Sequence, residues 1–286
     1  MWRVSVGSSL LLVLLSLSLN AQTDSPANNR KVMVQDVSIT GVQTIGTAEL
    51  NDIKGALTAT AVNDDKEEIG DRLRMAFQNH GYFQAKVNSV RVRVADPLAN
   101  PKPISVEADV TEGPAFHIGE IKFLNNHALT AEDLRSQFPI HKGDVFNRDK
   151  IGSGLEAVRN AYGKIGYINL TVVPDTMVRP PVVDIVMDIS EGEQYRLGTL
   201  EFAGNPNLAE KLRPRWELEF GQPYDASYIK KFVEENQSLL PSNFDMSRGV
   251  MTAQDCDQDM VTVRIDLDPQ HPSQNPPRST GCDKKK

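Results

Sequence analysis

A glycine-rich stretch in the middle of this sequence could bind a phosphate. Residues 152–157 read GSGLEA and fit the fingerprint that holds dinucleotide phosphates, with a final alanine. That fingerprint needs a strand before it and a helix that starts inside it. Here Asn147 already predicts a helix start, which places Gly152 and Gly154 inside the first turns of that helix. The sequence therefore predicts no nucleotide site and no cofactor.

An acidic run near the C-terminus imitates the start of a calcium loop. Asp255, Asp257 and Asp259 alternate as the first ligands of such a loop do, and Asp266 follows. Met260 occupies the position at which a calcium loop needs glycine, and the residues after it alternate as a strand does. None of the 5 histidines has the spacing of a zinc site. The sequence predicts a solvated acidic turn and no metal ligands.

The sequence also indicates no catalytic nucleophile. It contains no GxSxG elbow, and its 2 cysteines, Cys256 and Cys282, have no base fixed beside them in the sequence pattern. Two cysteines are too few for a disulfide framework, although they can pair with each other in an oxidising compartment. We predict no catalytic residues, and the sequence leaves the pairing open.

Length, composition and charge describe a folded, exported chain. With 286 residues, of which 40% are hydrophobic, the chain can form two or more domains with packed cores. Residues 1–21 place Arg3 before an apolar run and end on Ala21, which predicts a cleaved signal peptide; the alternative is an uncleaved membrane anchor. The net charge of −7 is not that of a nucleic-acid-binding surface.

One unit of roughly eighty residues occurs three times along the chain. Each copy contains a strand, a short helix, a longer amphipathic helix and two further strands. The short helix is clearest in the second copy, where Thr130 and Asp133 predict its start as a variant of the capping box. Gly81 and Gly166 end the longer helix of the first two copies, as left-handed C-terminal caps do. The repeat predicts domains over 31–112, 113–192 and 193–269, followed by a flexible tail over 270–286.

This order of elements predicts an α+β fold. We expect three tandem two-layer β-α-α-β-β units, each a three-stranded sheet with two helices on one face. The second and third strands of a unit form a hairpin, whereas the first strand can pair with either of them. The outermost strand presents unpaired backbone groups, and the sequence leaves open which strand this is.

The ordered set of motifs resembles a tandem of POTRA domains, the polypeptide-transport-associated modules of outer-membrane assembly and secretion proteins. The resemblance covers about residues 31–269. It rests on the following motifs: GYF at 81–83, GYI at 166–168, the junctions Glu112–Gly119 and Glu191–Gly198, and the closing Asn125 and Gly204.

The resemblance implies a non-enzymatic protein of the periplasm whose partners are proteins. Family members usually carry a membrane-embedded barrel after these domains, and we expect this chain to lack it and to keep the binding role. The implied partners are an outer-membrane β-barrel or unfolded outer-membrane protein segments, and the resemblance also allows peripheral association with the outer membrane.

The second strand of the first two copies contains the candidate binding residues. A strand left at an edge can accept an extended partner segment by β-strand addition. Arg91 and Arg93 also fit a different role, in which exposed charge discourages pairing with other chains. An alternative function is a rigid spacer in an envelope complex. The candidates are Ala85, Val87, Val90, Arg91, Val92, Arg93, Leu170 and Val172.

Overall fold

The computed structural model describes residues 31–59, 61–268 and 277–282. The predicted signal peptide over 1–21, with its alternative as a membrane anchor, lies outside these ranges. Within them, no helix combines the length and the apolar character that crossing a membrane requires.

The described chain forms three β-sheets, each covered by helices, as the predicted α+β fold requires. The first unit contains β1 (Lys31–Thr40), α1 (Thr47–Thr58), β2 (Val62–Asn63), α2 (Lys66–Asn79), β3 (Lys86–Val94) and β4 (Lys102–Thr111). The second contains β5 (His117–Leu124), α3 (Ala131–Ser136), α4 (Arg148–Lys164), β6 (Thr171–Arg179) and β7 (Val182–Ser190). The third contains β8 (Arg196–Ala203), α5 (Pro206–Leu212), a 3₁₀ turn (Arg213–Arg215), α6 (Tyr228–Glu235), α7 (Met246–Gly249), β9 (Val250–Asp255) and β10 (Met260–Asp266).

The closing strand of each unit lies inside its sheet. β4 pairs in parallel with β1 and antiparallel with β3, and β7 and β10 repeat this arrangement with their neighbours. The second predicted strand of every unit, which is β3, β6 or β9, therefore lies at one edge of its sheet, and β2, β5 or β8 lies at the other edge. The first sheet differs from the expected three strands, because the short β2 pairs with the start of β1 and buries Val62.

The helix signals in the sequence are confirmed. Thr130 and Asp133 form a reciprocal capping box at α3, and the Asn147 side chain accepts from the Lys150 amide at the start of α4. The GSGLEA stretch consequently lies within α4. Gly81 and Gly166 follow the long helices with φ of 96° and 91°, in the left-handed region that favours glycine.

Each sheet has its own core, and the long helix of the unit supplies its aromatic centre. Phe77 of α2, Tyr162 of α4 and Phe232 of α6 are buried in the first, second and third cores. The predicted apolar stripes therefore face their sheets, since a spacing of three and four residues brings them to one side of a helix.

The C-terminal part of the third unit contains two features that the sequence left undecided. Cys256 and Cys282 form a disulfide with an S–S distance of 2.08 Å. Of the segment expected to be a flexible tail, residues 277–282 are described, and Thr280 pairs in parallel with Asp255 at the end of β9. The predicted acidic turn lies between β9 and β10.

Candidate functional site

The outer strands β3, β6 and β9 are the candidate binding sites of the three sheets. An outermost strand directs a row of backbone N–H and C=O groups away from its sheet, and an extended segment can pair with them. In the described residues, each of these strands pairs with only one other named strand. Their surroundings differ, however, and these differences decide which edge an extended segment can reach.

A groove lies between the outer strand β3 and helix α2 of the first unit. Its volume is about 700 Å³. The helical wall consists of Lys66, Glu67, Gly70, Asp71 and Arg74, and residues 85–90 form the other wall. We call this feature the α2–β3 groove.

Gly70 makes room for the α2–β3 groove. A Cβ atom at this position would lie 3.4 Å from Val90 Cγ2 and 3.8 Å from Val87 Cγ1. A side chain longer than alanine would therefore project over these valines. Glycine in the interior of a helix costs about 1 kcal/mol relative to alanine, and the space it leaves gives that cost a structural reason.

The walls of the groove combine an apolar floor with a polar rim. Val87 and Val90 are partly buried against the first core, while acidic and basic side chains stand along α2. Asp71 and Arg74 neutralise each other in an ion pair of 3.0 Å. Such a surface suits a segment with alternating apolar and polar side chains, because one face of an added strand points towards the helix.

A β-bulge sets the direction of the β3 side chains. The register with β4 shifts between Val87 and Ser89, so Val87 and Val90 face the same side although they are three residues apart. Between them, the side-chain amide of Asn88 donates from Nδ2 to Asp109 Oδ2 and to Thr111 Oγ1, both at 3.0 Å. These bonds fix the start of β3 to β4.

The structure separates the predicted residues of the first unit, which are those of β3 and Ala85 just before it, into two groups. Ala85, Val87 and Val90 line the α2–β3 groove, and Val92 continues their row against the core. The other group consists of the predicted arginines.

Arg91 and Arg93 lie on the opposite, solvent-exposed face of the sheet. Arg93 forms a 3.0 Å ion pair with Glu107 of the neighbouring strand. Both arginines therefore flank the edge without lining the groove.

The predicted residues of the second unit lie in a different environment. Val172 is buried in the second core, and Leu170 packs against that core just before β6 begins. Their side chains thus serve the interior of the unit. Whether the backbone of β6 binds a partner depends on the rest of the strand.

Proline interrupts the edge of the second sheet. Pro174 stands within β6, opposite Met187 of β7. Proline has no backbone N–H, and in an edge strand it occupies a position whose N–H would point away from the sheet. β6 therefore lacks one outward-facing donor. Val173 and Met177 are 58% and 48% exposed on this strand, but apolar side chains alone do not replace a backbone donor.

The edge of the third sheet is occupied at one end. The Thr280 amide donates to the Gln254 carbonyl and the Cys256 amide donates to the Thr280 carbonyl, both at 2.9 Å. The end of β9 is thus already paired with another segment of the same chain. Of β3, β6 and β9, β3 is therefore the strand that contains no proline, has no further segment paired with it among the described residues, and adjoins a groove.

No motif in the sequence selects the helical wall of the α2–β3 groove as a binding surface. The prediction concentrated on the strand and missed Lys66, Glu67, Gly70, Asp71 and Arg74. One signal was present, because Gly70 interrupts an otherwise helix-favouring stretch. The valines that Gly70 faces across the groove, Val87 and Val90, are identified only by the structure.

The titratable side chains of the described residues do not form a metal site. No group of three or more His, Cys, Asp or Glu residues in this part of the chain is arranged to hold an ion. The shifted carboxylates have structural partners instead. Glu191 accepts from the His127 and Ala128 amides at 2.6 and 2.9 Å and fixes the loop after β5.

The pKa of Glu191 reflects this role. Burial acts to raise it, but the two amide donors and the Tyr162 hydroxyl, at 2.8 Å, hold the pKa below its usual range. Glu112 holds the Gln43 and Thr44 amides in the same way in the first unit. The glutamate of each Glu-Gly motif therefore anchors a loop of its own unit.

The GYF motif connects the first unit to the second. The Gly81 carbonyl accepts from the Phe116 amide at 2.8 Å. The ring of Phe83 packs against those of Phe116 and Phe146, with centroids 5.9 and 5.0 Å away. The third residue of the motif thus enters the core of the next unit.

The GYI motif repeats this connection between the second and third units. The Gly166 carbonyl accepts from the Tyr195 amide at 2.8 Å, and Ile168 packs against the third core. The model of the POTRA family, described as a surface antigen variable number repeat, matches residues 116–192. Residues 116–192 are similar to a POTRA domain. The predicted resemblance to POTRA repeats is confirmed.

Comparisons with known proteins agree with the POTRA assignment. The outer membrane protein assembly factor BamA of Buchnera aphidicola is 23% identical over 190 residues, which are 65% of this chain and 29% of that protein. The chain therefore spans less than a third of the length of this relative.

A solved structure shows the same fold. The crystal structure of POTRA domains 3–5 of Haemophilus influenzae BamA matches with a TM-score of 0.60 and 17% identity, and it covers 85% of this chain and 98% of that one. At this identity the match shows the fold of the POTRA units and no more.

Proposed function

We propose that this chain is a non-enzymatic periplasmic scaffold that binds extended segments of outer-membrane proteins by strand addition. The binding site is the outer edge of β3 with the α2–β3 groove beside it. The observation that carries this proposal is the contrast among β3, β6 and β9: of these three strands, β3 contains no proline, has no further segment paired with it among the described residues, and adjoins a groove. The relative named as an outer membrane protein assembly factor supports the class of client.

Strand addition suits clients of varied sequence. Backbone hydrogen bonds supply the affinity, while side chains add only loose selectivity. Outer-membrane barrel strands are segments of about ten residues that alternate between apolar and polar side chains. Such a segment would place one set of side chains in the groove and the other in solvent. The partner is an unfolded client or an assembly barrel, and the scaffold associates peripherally with the outer membrane.

Photocrosslinking with a defined peptide tests this function. The probe is a biotinylated peptide of about ten alternating valine and threonine residues, the pattern of a membrane-barrel strand. We call it the strand peptide. A photoreactive residue at Lys86, on the groove wall, should capture it, whereas the same residue at Asn51 of α1 or Thr176 of β6 should not. Equal capture at all three positions would contradict the proposal.

A rigid spacer is a second candidate function, because the two junctions are built alike. At both junctions a glycine carbonyl accepts an amide of the next unit at 2.8 Å, and an apolar side chain enters the next core. For a spacer, Phe83→Ala should impair function in cells while groove substitutions leave it intact. For a strand-binding scaffold, groove substitutions should impair it as well.

A further inference from the structure

Residues 279–282 lie against the outer side of β9. Thr280 exchanges backbone hydrogen bonds with Gln254 and Cys256, and the Gln254 amide donates to the Ser279 hydroxyl at 3.0 Å. The bridge between Asp255 and Thr280 is parallel. These are the contacts of a short added strand, and they use the backbone groups through which β9 would receive a partner.

Two features hold this segment in place. The Cys256–Cys282 disulfide ties its end to the turn after β9. Gly281 has a φ of 73°, and a Cβ atom there would lie 2.6 Å from Asp257 Cγ. Only glycine combines this backbone conformation with so close an approach to Asp257. Both the glycine at position 281 and the disulfide therefore favour the position of this segment beside β9.

We infer that residues 279–282 occupy the third edge in cis, and that an extended protein segment binds the same backbone groups of β9 once the Cys256–Cys282 bond is reduced. This inference rests on the proposed function, since it takes strand addition as the binding mode. It adds a second binding edge to the molecule and assigns its present occupant. It also fixes the direction of the ligand, which runs parallel to β9 as residues 279–282 do.

The reductant is a dithiol, and the accessible sulfur is its target. Cys256 is 3% exposed, whereas Cys282 is only partly buried. A thiolate of the dithiol attacks Cys282 Sγ, the S–S bond breaks, and Cys256 leaves as a thiolate that takes up a proton. The Tyr195 hydroxyl, which donates to Cys256 Sγ at 3.1 Å, stabilises that leaving group.

The second thiol of the reductant completes the exchange. It attacks the reductant's own sulfur in the mixed disulfide and releases Cys282 as a thiol. In total the dithiol gives up two electrons and two protons and becomes a disulfide, while the protein gains two thiols. Residues 279–282 then remain next to β9 only through their few hydrogen bonds, and a longer segment can displace them.

Opening the edge in three independent ways tests the inference. A photoreactive residue replaces Thr252, an exposed residue of β9, and the probe is the strand peptide. The edge is opened by a dithiol, by Cys282→Ser, or by a chain that ends at Asp268. The dithiol acts on the Cys256–Cys282 bond alone, because the chain has 2 cysteines. Arg278→Ala is the matched control, since it alters an exposed side chain directly before residues 279–282 and keeps the disulfide.

We expect each opening to raise capture at Thr252 about tenfold, because a tethered occupant competes at high effective concentration. Capture in the Arg278→Ala chain should stay at the level of the oxidised protein. Capture that is already high in the oxidised chain, or unchanged in all three opened chains, would overturn the inference. Urea unfolding of each opened chain verifies that the third core persists.

A second reporter separates this inference from the proposed function. The photoreactive residue at Lys86 reads the first edge in the same samples and should capture the strand peptide in every redox state. If the strand peptide is captured at Lys86 but opening the third edge does not raise its capture at Thr252, only the inference about the third edge is overturned. If opening the third edge raises capture at Thr252 but nothing is captured at Lys86, the proposed role of the first edge is overturned and the inference about the third edge is supported.

Discussion

The outer strands of the first and third sheets occupy the same place in the repeat but have different surroundings. Each pairs antiparallel with the closing strand of its unit. Next to β3, Gly70 leaves a groove between strand and helix. Next to β9, residues 279–282 already pair with the strand and a disulfide holds them there. The repeat therefore determines which strand is outermost, whereas features outside its shared pattern determine whether the strand is accessible.

Removing the disulfide should have the largest effect and should act on the third unit alone. A bond across a sequence separation of 26 residues contributes about 3.5 kcal/mol in the chain-entropy description. We expect Cys282→Ser to lower the free energy of unfolding of the third unit by that amount. Urea unfolding followed by the fluorescence of Trp216, which packs against the third core, measures it. Hydrogen exchange of the β4 amides is the control. An equal loss of stability in the first unit, seen as faster exchange of these amides, would contradict the claim that the disulfide acts on the third unit alone.

Filling the α2–β3 groove should make the outer edge of β3 inaccessible to an extended segment. Gly70→Leu places a side chain over Val87 and Val90 and should weaken binding of the strand peptide at least about tenfold, or about 1.4 kcal/mol. Titration with the labelled peptide measures the affinity.

Gly55→Leu is the matched control for this prediction, because Gly55 also lies in a helix and has no atom within 4 Å of its Cβ position. Its affinity should equal that of the original chain. If both variants lose affinity equally, the effect belongs to helix composition and the groove has no part in binding.

Restoring a donor to the second edge should create a binding strand. Pro174→Val returns an N–H to β6, and one backbone hydrogen bond contributes about 1 kcal/mol. We expect capture of the strand peptide by a photoreactive residue at Asp175 to rise about fivefold. Thr176→Val is the control, since it adds an apolar side chain on the same strand without adding a donor. An equal gain in both chains would attribute binding to hydrophobicity.

The arginines of β3 should have the smallest effect. Arg93 is 74% exposed, and exposed ion pairs such as Arg93–Glu107 contribute about 0–1 kcal/mol. We expect Arg93→Ala to change peptide affinity by less than about twofold, because the side chain lies away from the groove. The titration used for Gly70→Leu measures this. A loss as large as that of Gly70→Leu would place the binding surface on the arginine face of the sheet.

The sequence was sufficient to predict the fold because each unit repeats local signals. Apolar periodicity located the long helices, and capping residues such as Thr130 and Asn147 marked helix starts that the structure confirms. The alternating strands predicted the sheets, but not the order of their strands. That order depends on parallel pairing between segments far apart in the chain, which local patterns do not record.

The candidate site was harder to predict for the same physical reason. The choice of the second strand was a local inference, and it stays a prediction at the level of single residues. The groove arises where Gly70 approaches Val87 and Val90 from another element. The occupied third edge depends on a contact between β9 and residues 279–282, which the composition of the tail gave no reason to expect.

Hydrogen exchange of the backbone amides with and without the strand peptide tests the central claim most directly. If the first edge receives an extended segment, the amides of β3 that point away from β4 should exchange at least about tenfold more slowly in the complex. The amides of β6 and of the oxidised β9 edge should keep their rates. Unchanged exchange in β3, or equal protection of all three outer strands, would contradict the account.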